Sequence, residues 1–188
     1  MNEDNIARLI CGGEYGTAVL TDSDHAITVY HCIRKAYEDP PAEIKLQIVV
    51  AGTGKEITAS VIGTKNHADE EDEYVYLQLK ESVENIDAVK FMSCNIEPFQ
   101  KIHMLGYGEN RPDVSWVKLQ STGRTQAVAG QKHDIQLEAE YAKDKTFAGF
   151  SGSPLMDKED AYILGLTVQE GEVNKEVLYI NLRVKSFL

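Results

Sequence analysis

The sequence lacks the features that define several large classes of protein. It has 3 cysteines in 188 residues, and this odd number without a paired motif argues against a disulfide framework and against a zinc site. No stretch approaches the ~20 apolar residues that a transmembrane helix requires. Lys and Arg number 19 against 30 Asp and Glu, a formal net charge of -11. This balance disfavours nucleic acid and anionic membranes as partners, because both are polyanions.

Secretion and metal binding also have no clear signal. The opening residues, MNEDNIARLI, contain no basic segment followed by a long apolar run, so no signal peptide is predicted. Together with the unpaired cysteines, this favours a reducing, cytoplasmic compartment. The segment HADEED at 67–72 has no rigid ligand spacing and is interpreted as a solvated loop. We therefore expect neither a metal nor a cofactor.

Short β-rich runs separated by turn residues are what the sequence does contain. Residues 2–10 are compatible with a short helix, and a boundary between two halves is expected within 82–99. Strands spaced in this way predict an all-β sandwich or barrel. The runs are 17–20, 26–30, 46–50, 74–79, 102–105, 116–119, 162–168 and 177–180.

Two segments carry candidate chemistry. ITVYHC ends on His31 and Cys32, and GFSGSP places Ser151 between two glycines. A serine hydroxyl needs a base to become a nucleophile, and the resulting oxyanion needs N–H donors about 3 Å away. Gly149 permits the sharp turn that presents such donors, and Gly152 leaves room beside the hydroxyl. Alone, each segment fits an ordinary turn or a half-buried histidine, but their pairing, His early and Ser late, indicates nucleophilic catalysis.

These segments resemble the His and Ser blocks of the chymotrypsin/trypsin family, apolar–Thr–Ala–Ala–His–Cys and Gly–Asp–Ser–Gly–Gly–Pro. GYG at 106–108 resembles the Gly–Trp–Gly turn that opens the family's second barrel. The resemblance spans about residues 13–185. It implies two six-stranded antiparallel Greek-key β-barrels packed together in one domain, 1–188, with the active site in the cleft between them. The barrels would occupy about 1–85 and 98–188.

The resemblance implies a trypsin-like serine endopeptidase, with His31 as general base and Ser151 as nucleophile. The N–H groups of Gly149 and Ser151 would form the oxyanion hole. The family's third member is an Asp at the start of a strand that here reads EYVYLQL. Register favours Glu73 and side-chain chemistry favours Asp72, which would need a bulge, so both stay candidates.

Two departures from the family concern its cysteine pair and its activation. The position that matches the family's partner for Cys32 is about Gly16, so Cys32 is expected to be a small buried residue. The residue before the nucleophile is Phe150 rather than Asp, so it cannot pair with a newly freed N-terminus. The site is therefore expected to be preformed, or ordered by a partner or substrate.

The substrate pocket is the least determined part of the site. ILGLTV at 163–168 resembles one wall of the family's primary specificity pocket. The candidate substrate-binding residues are Lys145, Thr167, Val168 and Gln169, and the charges nearby oppose one another, so no residue preference follows.

Proteins or peptides are the expected partners, as substrates. An alternative class is a catalytically weak double-barrel module for binding or sensing inside a larger multi-protein assembly. A third interpretation is a protease domain that acts only inside a larger assembly. The 188 residues would then be part of a longer protein, and its other modules would be partners.

Overall fold

In a computed structural model, most of the regular secondary structure of the described residues is β-strand. The structure describes residues 1, 3–50, 53–62, 74–92, 96–108, 113–121, 126–128, 131–133, 135–139, 148–157, 159, 162–167 and 177–180. Two 3₁₀ helices lie at Glu3–Asn5 and Tyr30–Tyr37. The strands of the first half are β1 (Ile6–Cys11), β2 (Glu14–Leu20), β3 (His25–Val29), β4 (Ile44–Val50), β5 (Thr53–Val61) and β6 (Tyr74–Leu79). Those of the second half are β7 (Lys101–Tyr107), β8 (Val114–Ser121), β9 (Gln126–Val128), β10 (Gln131–His133), β11 (Ile135–Ala139), β12 (Pro154–Met156), β13 (Ile163–Leu166) and β14 (Val177–Ile180).

The first six strands close into an antiparallel barrel in the order β1-β2-β3-β6-β5-β4. Side-chain alternation explains why the sheet curls around a core. In β6, Val75, Leu77 and Leu79 are buried, whereas Tyr76 and Gln78 between them are exposed. β4 returns to pair with β1, so the closed barrel leaves none of the six strands as an open edge.

The second half forms a six-stranded sheet in the order β13-β12-β7-β8-β11-β14, with a separate β9–β10 pair. It encloses a second apolar core, made of Ile102, Met104, Leu119, Leu137, Phe150, Leu155 and Leu164. The barrel followed by this sheet confirms the predicted all-β, double-barrel class of fold.

The larger, first core is not confined to the first half. Leu105, Tyr107, Met156, Ile163 and Leu166 of the second half pack into the same buried cluster as the barrel interior. The halves therefore share apolar surface as well as a chain connection.

All eight β-rich runs read from the sequence overlap strands of the structure. The expected helix at 2–10 is wrong, because only Glu3–Asn5 is helical and Ile6–Cys11 forms β1, which pairs with β2 on one side and β4 on the other. The GYG segment, expected as a turn, instead places Gly106 and Tyr107 at the end of β7.

Candidate active site

His31 lies just beyond the end of a barrel strand. β3 ends at Val29, and the chain then enters the 3₁₀ helix Tyr30–Tyr37. Cys32 and Ile33 anchor this helix in the core, at 2 % and 0 % exposure, while His31 is half-buried. A rigid strand and a buried anchor on either side thus fix the position of the imidazole.

The surroundings of His31 favour its neutral form. Burial lowers the pKa of His31, the nearby Arg34 guanidinium lowers it further, and the Glu14 carboxylate acts in the opposite direction. The net shift is downward because desolvation penalises the charged imidazolium. A neutral imidazole is the form that can accept a proton.

Arg34 and Glu14 form an ion pair beside the histidine. The guanidinium donates to Glu14 Oε1 from Nη2 at 2.6 Å and from Nε at 3.0 Å. Glu14 reaches this place because the β1–β2 hairpin turns through Gly12 and Gly13, which have φ values of +59° and +84°. The pair balances charge near His31, and a half-exposed pair adds little to stability.

Ser151 sits in a compact turn, residues 148–153, here called the serine turn. Gly149 and Gly152 have φ values of +89° and +86°, conformations that residues with a Cβ rarely adopt. The Ser153 N–H closes the turn on the Phe150 carbonyl at 2.9 Å. Phe150 itself is 4 % exposed and packs into the second core. The turn is therefore anchored by an apolar side chain where the related family uses a charged one.

The serine turn docks directly onto the barrel that carries His31. The Ser151 carbonyl accepts a hydrogen bond from the Thr17 N–H at 2.7 Å and a weaker one from the Cys32 thiol at 3.5 Å. Cys32 is the residue next to His31. The structure thus brings the two predicted segments together, although 119 residues separate Cys32 from Ser151.

Cys32, in the 3₁₀ helix, packs directly against Gly16 on β2. A Cβ added at Gly16 would lie 2.5 Å from the Cys32 sulfur, so a side chain there would have to displace the thiol. This agrees with the alignment that matched Gly16 to the family's partner cysteine. Cys32 is a buried thiol, as expected.

Two buried threonines at this junction were missed in the sequence. Thr17 and Thr28 are both fully buried, and the Thr28 hydroxyl donates to the Thr17 carbonyl at 2.8 Å. A threonine inside an apolar strand gave a weak signal, because its partners lie far away along the chain.

Thr167, predicted to bind substrate, is buried at 2 % exposure behind the serine turn. Its hydroxyl donates to the Ser153 carbonyl at 3.1 Å, and its own carbonyl accepts from the Gly152 N–H at 2.7 Å. It therefore holds the serine turn to the end of β13. The other predicted site residues, Asp72, Glu73, Lys145, Val168 and Gln169, lie outside the described residues.

In the part of the chain that the structure describes, no three His, Cys, Asp or Glu side chains converge as a metal site would require. Neither 3₁₀ helix among those residues has the length and apolar character needed to cross a membrane.

A histidine just beyond a barrel strand, next to a residue that binds a glycine-flanked serine turn, on a barrel and a second sheet, is the arrangement typical of the chymotrypsin-like peptidases. The model of the trypsin-like peptidase domain family matches residues 16–166, so the chain belongs to that family. None of the curated proteins matches the sequence.

Solved structures share the fold at low identity. Deg5 is 15 % identical over 95 % of this chain and 84 % of its own, with a TM-score of 0.71. The active form of the Rv3671c protease from M. tuberculosis is 13 % identical over 96 % and 77 %, with a TM-score of 0.70. A scabies mite inactivated protease paralogue is 10 % identical over 96 % and 88 %, with a TM-score of 0.68. By family and fold the chain is of the protease type, and such a fold acts on proteins or peptides.

Proposed function

We propose that this protein is a serine endopeptidase that cleaves peptide bonds through an acyl-enzyme. His31 takes the proton of Ser151 as the serine oxygen attacks the carbonyl carbon, and it passes that proton to the amine that leaves when the peptide C–N bond breaks. His31 then takes a proton from water, which attacks the acyl carbon and releases the acid, and the proton returns to Ser151. The observation that carries the proposal is the docking of the Ser151 carbonyl on Thr17 and Cys32, at 2.7 and 3.5 Å, beside His31. The lowered pKa of His31 supports its role as a base.

The Gly149 and Ser151 N–H groups are the proposed oxyanion donors. The positive φ of Gly149 supports this role, because it sets the angle of the turn just before the nucleophile. Within the described part of the chain neither N–H group has an acceptor, whereas the Gly152 and Ser153 N–H groups do. They are therefore available to a substrate oxygen.

The acid that orients His31 is proposed to be Glu73 or Asp72. β6 begins at Tyr74, whose partner in β3 is Val29, two residues before His31. In the sequence, both candidate residues come immediately before β6. Glu73→Gln and Asp72→Asn decide between them, because loss of the true partner should slow acylation by orders of magnitude.

The proposal also covers the substrate pocket, the cellular compartment and the division of the chain into two barrels. The substrate pocket involves Lys145, Thr167, Val168 and Gln169, and the protein acts in the cytoplasm. The two halves form one domain, 1–188, with barrels at about 1–85 and 98–188. Thr167 would support the pocket by holding the serine turn, since its N–H donates to the Ser153 carbonyl at 2.8 Å and its carbonyl accepts from the Gly152 N–H at 2.7 Å. Its hydroxyl lies 3.2 Å from the Met104 sulfur.

A fluorophosphonate probe tests the function, because it reacts with an activated serine in an assembled site. We expect the purified protein to be labelled at Ser151, as located by mass spectrometry. Ser151→Ala should abolish labelling, and Ser60→Ala, on the exposed side of β5, should leave it intact. Absence of labelling in the wild-type protein would contradict a self-sufficient enzyme.

A binding module is the second candidate function. It is favoured by the inactivated protease paralogue, which keeps this fold at a TM-score of 0.68. Here His31 and Ser151 are both present, which favours the enzyme. If the wild-type protein resists the probe both alone and in cell lysate, the binding module is the better explanation.

A further inference from the structure

We propose that Thr17 is a positioning residue that holds the serine turn in register with the strand leading to His31. This inference rests on the proposed function of Ser151. Thr17 lies on β2 and is fully buried, so its polar groups have only protein partners to satisfy them.

Thr17 forms hydrogen bonds with two carbonyl groups of the serine turn. Its N–H donates to the Ser151 carbonyl at 2.7 Å, and its hydroxyl donates to the Gly149 carbonyl at 3.3 Å. These carbonyls belong to the nucleophile and to the other proposed oxyanion donor. One residue therefore holds the peptide units that follow Gly149 and Ser151, and these flank the Phe150–Ser151 unit whose N–H is a proposed oxyanion donor.

The other contacts of Thr17 tie it to both halves. Its hydroxyl accepts from the Tyr107 N–H at 3.1 Å, at the end of β7. Its carbonyl accepts from the Thr28 hydroxyl at 2.8 Å, on the strand that leads to His31. A hydroxyl has one proton, so with Tyr107 donating to it, that proton is directed to Gly149.

Close packing prevents the serine turn from pivoting about these bonds. A Cβ at Gly152 would lie 2.0 Å from the Thr17 carbonyl oxygen, so the two backbones touch. An oxyanion hole works only when its donors are held in place before the reaction. Without the Thr17 hydroxyl, the Gly149 carbonyl loses its anchor and the Tyr107 N–H loses its acceptor, which loosens the turn on both sides.

The test compares Thr17→Val, which keeps the shape and loses the hydroxyl, with Thr17→Ser, which keeps the hydroxyl. Ser121→Ala, at a buried position on β8, controls for loss of a buried hydroxyl away from the serine turn. All proteins are compared at a temperature at which urea titration shows each of them to be folded.

Two measurements distinguish the positioning role of Thr17 from the proposed catalytic function of Ser151. The first is hydrogen exchange in peptides covering 148–153, which should be faster in Thr17→Val than in the wild type, in Thr17→Ser or in Ser121→Ala. The second is probe labelling of Ser151. Because removal of one whole oxyanion donor costs 10²–10³ in rate, we expect displacement of one to lower the maximal labelling rate about tenfold in Thr17→Val. Probe affinity should change less, and Thr17→Ser should stay within about threefold of the wild type.

Unchanged exchange in Thr17→Val would overturn the inference, and so would an equal loss in Thr17→Ser, which would show that the methyl group matters and the hydroxyl does not. A wild-type protein that resists the probe both alone and in cell lysate would refute the proposed function. The exchange readout would then decide the positioning role without it.

Discussion

The protonation state of His31 depends on opposing effects of its surroundings on its pKa. Burial and Arg34 lower its pKa, and Glu14 raises it. Since the folded-state pKa lies below the unfolded value of about 6.5, the unfolded chain takes up the proton first as pH falls. The contribution of His31 to the free energy of unfolding is thus full above pH ~6.5 and is lost between that pH and the folded-state pKa.

The acid limb of Ser151 labelling should have its midpoint at the pKa of His31, because the base must be neutral to act. Arg34→Gln should move the midpoint to higher pH, and Glu14→Gln to lower pH, since each removes one of the opposing charges. The labelling rate measured across pH 4.5–8 gives both midpoints. Equal or reversed shifts in the two variants would show that the ion pair does not act on His31.

The backbone at Gly152 combines an unusual conformation with close contact. Gly152→Ala should lower the free energy of unfolding by about 1–2 kcal/mol for its positive φ, and by about 1–3 kcal/mol more for the clash with the Thr17 carbonyl. Gly13→Ala is the matched control, with a φ of +84° and nothing within 4 Å of the added Cβ. Urea unfolding measures both, and equal losses would show that the contact with Thr17 is not tight.

Between elements, β7 and the segment entering β12 are fitted together at Gly106 and Ser153. A Cβ at Gly106 would lie 1.8 Å from the Ser153 hydroxyl oxygen. Ser153 is fully buried, and among the described residues its hydroxyl has no hydrogen-bond partner. The contact between Gly106 and Ser153 therefore depends on close packing and not on a hydrogen bond.

A double-mutant cycle tests that fit. Gly106→Ala should destabilise the protein by about 1–3 kcal/mol through overpacking. In the Ser153→Gly background the same change should cost less, because the side chain that it meets is gone. The coupling energy from urea unfolding of the four proteins should exceed about 0.5 kcal/mol. Strictly additive losses would contradict the packing described.

Strands whose own residues alternate clearly between apolar and polar could be predicted from the sequence. β6 alternates buried and exposed residues, so its type was plain in the sequence. In β1, by contrast, Ile6, Leu9 and Ile10 also have helical spacing. Pairing with β2 and β4 decides in favour of a strand, and that pairing depends on residues up to 41 positions away, as between Ala7 and Ile48.

The same distinction holds in the candidate site. His31 and Ser151 stood out because each has a local motif. Thr17 has none, since its role comes from contacts with Gly149 and Tyr107, which are 132 and 90 positions away. The glycines predict the serine turn from the sequence, but no local motif predicts the barrel surface on which the turn packs.

At the scale of the whole molecule, the shared core sets how the two halves unfold. Five second-half side chains pack into the barrel cluster, and the serine turn adds hydrogen bonds across the same junction. Burial on this scale makes separate unfolding costly, because either half would expose its share of the apolar surface to water. The halves should therefore behave as one cooperative unit.

Unfolding followed by the single tryptophan tests this cooperativity. Trp116 lies on β8 in the second half, and Leu46 is fully buried on β4 in the first. Leu46→Ala should cost about 2–5 kcal/mol and should shift the Trp116 fluorescence transition in urea by the same amount as the far-ultraviolet circular dichroism transition. Lys45→Ala, on the exposed side of the same strand, should shift neither by more than about 0.5 kcal/mol. If Leu46→Ala moves the circular dichroism transition and leaves the tryptophan transition in place, the halves are independent folding units, and the contacts of the serine turn with Thr17 and Cys32 are too weak to join them.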